Sequence, residues 1–401
     1  MNFEIISLLL MPFTYAFVGW VTNWVALKMT FYPLKFFGIP PYLGWQGIIP
    51  RKAEKMAGRA VDVVTRYLID VEEMFCKVDP ALIQENLRPE IQKTILETMK
   101  EVADEFNPLL WNLIPELVKN SMMKEIERQA METIPTVFQD LRKDSKRIFD
   151  IRGLVIRNMT GDNVHLTVEM FQRVGAKEFR FIEISGFYFG FVLGLIQMGI
   201  WLVYPALWTL PVQGIIVGYL TNWLALLLIF RPLEPVRLGP FSFQGLFIKR
   251  QREVSDEYSK MLATKILSSE KILEELFFGR ASEEVFNLVV HAVERQMDTM
   301  ASVIRPTLSL SFTSNKYNDT KERVIRKIMS NLKNFTTHIE DYVEKAIDLE
   351  STLSQKMKAL PPVDFEDVLR TVFKEDELLL ILVGAALGAI VGLGQAFFMA
   401  L

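Results

Sequence analysis

The sequence predicts an all-α, polytopic membrane protein with about four transmembrane helices and two cytoplasmic helical bundles, built by internal parallel duplication. Three observations predict it. Long apolar stretches are nearly free of charge, the segments between them carry apolar residues at helical spacing, and one motif occurs once in each half of the chain.

The chain has 401 residues, of which 50% are hydrophobic. They are clustered rather than evenly spread, which points to lipid as a solvent. Crossing a bilayer takes roughly 20 apolar residues. Four stretches approach that length: about Ile5–Phe31, Phe181–Tyr204, Leu210–Phe230 and Leu378–Leu401, with Lys28 and Glu183 near their edges. A signal peptide is the competing reading of the first stretch. Its start, Met-Asn-Phe-Glu, lacks a positive region and no small-residue cleavage site follows, so retention as a membrane helix is expected.

Basic residues set the orientation, because cytoplasmic loops carry the excess of Lys and Arg near helix ends. Lys28, Lys35, Arg51, Lys52, Lys55 and Arg59 follow the first helix, Arg173, Lys177 and Arg180 precede the second, and Arg231, Arg237, Lys249, Arg250 and Arg252 follow the third. The link from Val203 to Gln213 has no charge. The expectation is a multi-pass protein of the bacterial cytoplasmic (inner) membrane, with its large segments cytoplasmic and both termini outside.

The duplication is read from GWVTNWVALKMTFYPL, beginning at Gly19, and GYLTNWLALLLIFRPL, beginning at Gly218. After a one-residue gap, Gln46-Gly47 corresponds to Gln244-Gly245, and Arg51-Lys52 to Lys249-Arg250. Gly186, Gly190, Gly194 and Gln197 have the spacing of Gly384, Gly388, Gly392 and Gln395. The first repeat is residues 1–204 (membrane 5–31, cytoplasmic 32–180, membrane 181–204), and the second is 205–401 (membrane 210–230, cytoplasmic 231–377, membrane 378–401). Both run in the same sense, so the pseudo-symmetry axis is expected along the membrane normal.

On these residues the chain resembles the bacterial integral membrane proteins of domain-of-unknown-function family 445, often called YheB-like. The resemblance rests on GWVTNWVALKMTFYPL with GWQGIIPRK, on KEFRFIEISGFYFGFVLGLIQ, and on the second copies of both. It implies no catalytic residues. The second copy departs from the first at Ile248 for Pro50 and Leu227 for Lys28.

Thr22-Asn23 and Thr221-Asn222 lie about 8 residues, or roughly 12 Å, inside the cytoplasmic boundary. A carboxamide there needs a partner. It either ties helices together or lines a substrate or ion path. Gln197 and Gln395, about 16 residues or roughly 24 Å into their helices, are expected to pair with each other. Glycines at i, i+4 and i+8 let backbones approach closely, so helices two and four are expected to pack through Gly186, Gly190, Gly194, Gly384, Gly388 and Gly392. The alternative is a groove for a lipid tail.

Prolines 33, 40, 41 and 50 exclude a regular helix over Pro33–Arg51, and Phe36, Phe37, Tyr42 and Trp45 suit the headgroup zone. An interfacial or shallow re-entrant loop is expected there and in its copy with Pro232, Pro235, Pro240, Phe241, Phe243 and Phe247. Arg51, Lys52, Lys249 and Arg250 are candidates for lipid headgroups, against ordinary positive-inside anchoring.

Ile91, Ile95, Met99 and Val102, then Val285, Val289, Ala292 and Val293, then Val324, Ile328 and Leu332 mark amphipathic helices. Asp79 before Pro80, and Asp364 with Asp367, mark helix starts. His165, His291 and His338 are far apart, and there is no HExxH, phosphate-binding loop or GxSxG elbow. No metal, cofactor or catalytic activity is expected. Cys76 alone excludes an intrachain disulfide, and a net charge of −3 gives no field for nucleic acid. Membrane lipid, a second copy of the chain and envelope proteins remain as partners. The leading expectation is a non-enzymatic envelope scaffold or lipid-handling protein; an oligomeric transporter or channel comes second and an enzyme third.

Overall fold

The computed structural model describes residues 3–39, 43–106, 115–279, 282–283, 285–291, 294–295, 314–370 and 377–400. Pro40, Pro41, Tyr42, Ala292 and Val293 of the readings above lie outside them. The protein is all-α, with helices of membrane-crossing length and composition at Phe3–Phe31, Ala176–Val203, Thr209–Phe230 and Glu377–Ala400, hereafter the first to fourth membrane helices. Each starts or ends within a few residues of the stretch its hydropathy marks.

The chain forms two compact units. One comprises residues 1–68, 155–266 and 350–401, the other 69–154 and 267–349. Each takes segments from both halves of the sequence. The first unit holds the four membrane helices, whose outer faces expose Phe13, Phe17, Trp20, Trp24, Tyr188, Val192, Trp223 and Ile390. Large apolar side chains facing out, with Gly, Thr and Asn facing in, suit a bundle solvated by lipid.

Within the bundle the first helix packs mainly on the second, and the third mainly on the fourth. Gly186, Gly190 and Gly194 lie against Gly19, Tyr15 and Pro12, while Gly384, Gly388 and Gly392 lie against Gly218, Gly214 and Leu210. This corrects the expected packing of helices two and four through their glycines. Each stripe instead meets the backbone of the preceding membrane helix, with a glycine opposite at Gly186, Gly384 and Gly388 and the main chain of Tyr15, Pro12 and Leu210 at the others, so backbones come within Cα–H contact range.

After both the first and third helices the chain turns through a cis proline, Tyr32-Pro33 and Arg231-Pro232, into a short antiparallel hairpin. Strands β1 (Phe37–Ile39) and β2 (Leu43–Trp45) form one, β3 (Val236–Leu238) and β4 (Phe241–Phe243) the other. Sequence reasoning identified both loops as irregular but not as strands, because three-residue strands are too short for alternation to register.

Below the hairpins, amphipathic helices cross-pack between repeats. Ala53–Tyr67 of the first half packs on Pro362–Arg370 of the second, and Gln251–Met261 of the second on Val164–Val174 of the first. These two contacts are equivalents under the duplication. Met56, Val61 and Val64 line one helix's buried stripe, and Val168, Met170 and Phe171 another's.

In the second unit, Pro80–Phe106 packs on Ser314–Ile347 and on Glu116–Lys143. Its core joins Leu141 and Ile148 of the first half to Leu276 and Val285 of the second. Thus the amphipathic helices of the two halves bury their stripes against each other in one unit, where the sequence suggested a bundle for each half. An apolar stripe specifies that it must be covered, not by which copy. The helix starts at Pro80, where Asp79 Oδ1 accepts from Ala81 N at 2.9 Å, and at Pro362, with Asp364 in its first turn.

Candidate functional site

The repeated Thr-Asn dipeptides sit inside the membrane bundle. Gly19, Thr22 and Asn23 share one helix face, so the face that admits a close neighbour also carries the carboxamide one turn further on. Asn23, fully buried, donates Nδ2 to the carbonyl of Ile182 at 2.7 Å, and Asn222 donates to that of Leu380 at 3.0 Å. In each case the carbonyl lies four residues before a glycine of the partner stripe. A Cβ on Gly186 would stand 2.6 Å from Asn23 Nδ2, and one on Gly384 2.1 Å from Asn222 Nδ2. The glycine is therefore what lets the amide reach the backbone. Sequence reasoning found both motifs but not this coupling, whose only signal was their common presence in each repeat.

The threonines bond within their own helices. Thr22 Oγ1 donates to Gly19 O at 3.1 Å and Thr221 Oγ1 to Val217 O at 2.8 Å, the latter hydroxyl also lying 3.4 Å from Asn23 Oδ1. This last contact links the two repeats.

Gln197 is buried and donates Nε2 to Thr209 Oγ1 at 3.2 Å, so the expected pairing with Gln395 is corrected. The second and third helices are joined by a short link, which brings Thr209 beside Gln197. Gln395 is half-buried.

The basic pairs separate. Arg51 and Lys249 are exposed and Lys52 is half-buried. Arg250 is committed to carboxylates: it pairs with Glu178 Oε1 and, at 2.9 Å, with Glu253 Oε2, while Lys177 approaches Glu253 Oε1 at 2.5 Å. Glu178 is 1% exposed, and its Oε2 has no hydrogen-bond partner among the described residues. Hydrogen bonds from Arg250 and Lys177 hold the Glu253 carboxyl at about 2, and burial opposes the charge on Arg250 less than its two carboxylates favour it.

A second ion-pair cluster lies at the start of the fourth helix, where Arg370 binds Glu366 and Glu377, both at 2.8 Å, and Arg231 meets Glu366 at 3.2 Å. Tyr32 and Gln172, 3.3 Å apart, occupy the equivalents of Arg231 and Arg370 in the first repeat. Neither Glu178 nor Glu366 was singled out from sequence, where each reads as one more carboxylate on an amphipathic helix. Among the described residues no three His, Cys, Asp or Glu side chains are grouped to hold a metal ion.

No family model and no solved structure matches the chain. Over 136 residues it is 32% identical to a UPF0754 membrane protein of Bacillus cereus (strain G9842), a stretch covering 33% of this chain and 33% of the relative. A UPF0754 membrane protein of Bacillus thuringiensis subsp. konkukian (strain 97-27) is 32% identical over 104 residues, 25% of this chain and 26% of its own. The similarity thus spans about a third of the relatives' length at most. It supports a relationship to bacterial membrane proteins whose name states no activity.

Proposed function

We propose that this protein is a non-enzymatic scaffold at the cytoplasmic surface of the bacterial inner membrane, handling lipid or envelope proteins through the helices outside the bundle. One observation carries the reading: the conspicuous intramembrane polar groups, Asn23 and Asn222, are spent on backbone carbonyls of neighbouring helices. Carboxamides used in this way hold an anchor together, and the glycine contacts on either side draw the same helices into backbone contact.

In this reading both termini face outward, the long segments are cytoplasmic, and the chain self-associates. The motifs GWVTNWVALKMTFYPL and GWQGIIPRK also support grouping it with the domain-of-unknown-function 445 proteins. Native mass spectrometry of the detergent-purified protein, with and without Asn23→Leu, tests the proposal. A scaffold retains its oligomeric state and bound lipid in the variant once folded. Loss of solute flux from proteoliposomes in a folded Asn23→Leu variant would instead favour a transporter or channel with a path lined by the Asn and Gln positions.

A further inference from the structure

The segments after the first and third membrane helices are built to hold a hairpin beside the last turn of the helix. Trp45 Nε1 donates to Met29 O at 3.2 Å, reaching back to a carbonyl two residues before the helix ends at Phe31. Gln46 Nε2 donates to Leu34 O at 2.8 Å and Gly47 N to Pro33 O at 2.9 Å. The second repeat has the same clamp, with Gln244 Nε2 on Leu233 O at 3.0 Å and Gly245 N on Pro232 O at 2.9 Å. A Cβ on Gly47 would stand 2.7 Å from Phe31 C, and one on Gly245 2.7 Å from Phe230 C. The proline, glutamine and glycine of the repeated motif therefore fix each hairpin at the level where its membrane helix ends.

Hairpin faces are unequal. Register pairs Phe37 with Trp45, Gly38 with Gly44 and Ile39 with Leu43. Side chains alternate between faces, so one face holds only the two glycines, with the Phe36 ring against Gly44. The other presents Phe37, Ile39 and Leu43, which are 79%, 72% and 73% exposed. In the second hairpin, Val236 and Phe243 are partners in register and about half exposed, 47% and 50%. Contiguous apolar side chains are rarely left to water, and an aromatic-rich segment at a helix end is at headgroup depth.

We infer that both hairpins insert their apolar faces into the bilayer leaflet at which the first and third membrane helices end, as paired shallow wedges. The occupant of that surface is lipid. Exposed cations lie beside the two apolar faces rather than on them: Lys35, 3.6 Å from Asp162, precedes β1, and Arg237 is on the opposite side of β3, an arrangement that suits anionic headgroups at the membrane surface. The inference rests on the proposed orientation only for which leaflet is entered.

The test uses full-length protein carrying Cys76→Ser, with Leu43→Cys or Phe243→Cys spin-labelled, in vesicles of phosphatidylethanolamine and phosphatidylglycerol. Leu117→Cys, at a position 80% exposed in the second unit, serves as the water reference. Labels at 43 and 243 are expected to be open to oxygen and to lose accessibility to an aqueous nickel chelate, the reverse of the label at 117. Equal chelate accessibility at all three positions overturns the inference. So does closure to both reagents with broadening between labels on two chains, which would mean that a second copy covers the face. Chelate trapped inside or added outside then identifies the leaflet, so a wrong orientation is distinguishable from absent insertion.

Discussion

Asn23 donates its amide to the carbonyl of Ile182 across 2.7 Å inside the membrane bundle, through a gap that exists because residue 186 is glycine. Asn222 repeats the arrangement with Leu380 and Gly384. Replacing Asn23 by Leu removes the donor and forces a branched side chain into that gap. The expected loss from the hydrogen bond alone is about 0.6 to 2 kcal/mol. Unfolding in mixed detergent should show it, and an unchanged midpoint would deny the bond a structural role.

Glycine contacts make a sharper comparison. A Cβ at Gly19 would lie 2.2 Å from Gly186 O, and one at Gly388 2.0 Å from Gly214 O, whereas Gly199 and Gly394 have open space. Gly19→Ala and Gly388→Ala should each destabilise the bundle by roughly 1–3 kcal/mol, since a backbone must shift. Gly199→Ala and Gly394→Ala should be neutral or stabilising by up to about 1 kcal/mol through reduced chain entropy. Parallel thermal unfolding of the four variants checks the ordering.

Glu178 and Arg250 come from different repeats. Removing Glu178 leaves the partly exposed Arg250 with Glu253 alone, so Glu178→Ala should cost about 1–3 kcal/mol, the range for losing a hydrogen bond to a charged group. Glu178→Gln, which keeps an acceptor for the guanidinium, should cost less. Equal stability of both variants with the parent, in denaturant titrations, would show that the pair does not hold the two repeats together.

Acid sensitivity follows from Glu253. Arg250 and Lys177 depress its folded carboxyl to about 2 from an ordinary 4.5. A depressed carboxylate adds stability above its unfolded value, and that contribution is lost as pH falls through the folded one. Glu253→Gln should therefore lower the unfolding midpoint at neutral pH and match the parent near pH 2. A constant difference across that window would contradict the assignment.

Glu340, in the second unit, should behave oppositely. Burial, and then the carboxylates of Glu270, Asp341 and Glu344, raise its folded value above the ordinary one. Its favourable contribution is complete below the unfolded value and disappears as pH rises through the folded one. Glu340→Gln should then stabilise the protein at neutral pH, with the gain vanishing below about pH 4.5, as pH-dependent unfolding would reveal.

Local chemistry made much of this protein legible before its structure. The four membrane helices follow from runs of apolar residues, because every backbone group buried in lipid must bond within its own segment. Repetition of Gly, Thr, Asn, Pro, Gln and Gly marked the positions now seen in the carboxamide bridges and hairpin clamps. What the sequence left open was partnership. A stripe such as Gly186, Gly190 and Gly194 records that a backbone will come close, but not whose; the tertiary structure assigns it to the first helix rather than the fourth. Amphipathic stripes carry the same ambiguity, and Leu141 and Leu276, from opposite halves, resolve it by sharing one core. Glu178 shows the same limit in electrostatics, since its partner Arg250 lies 72 positions away and only the folded chain brings them together. Periodicity specifies which face is apolar or small, whereas the choice among chemically equivalent faces depends on shape complementarity and connection length, which exist only in three dimensions.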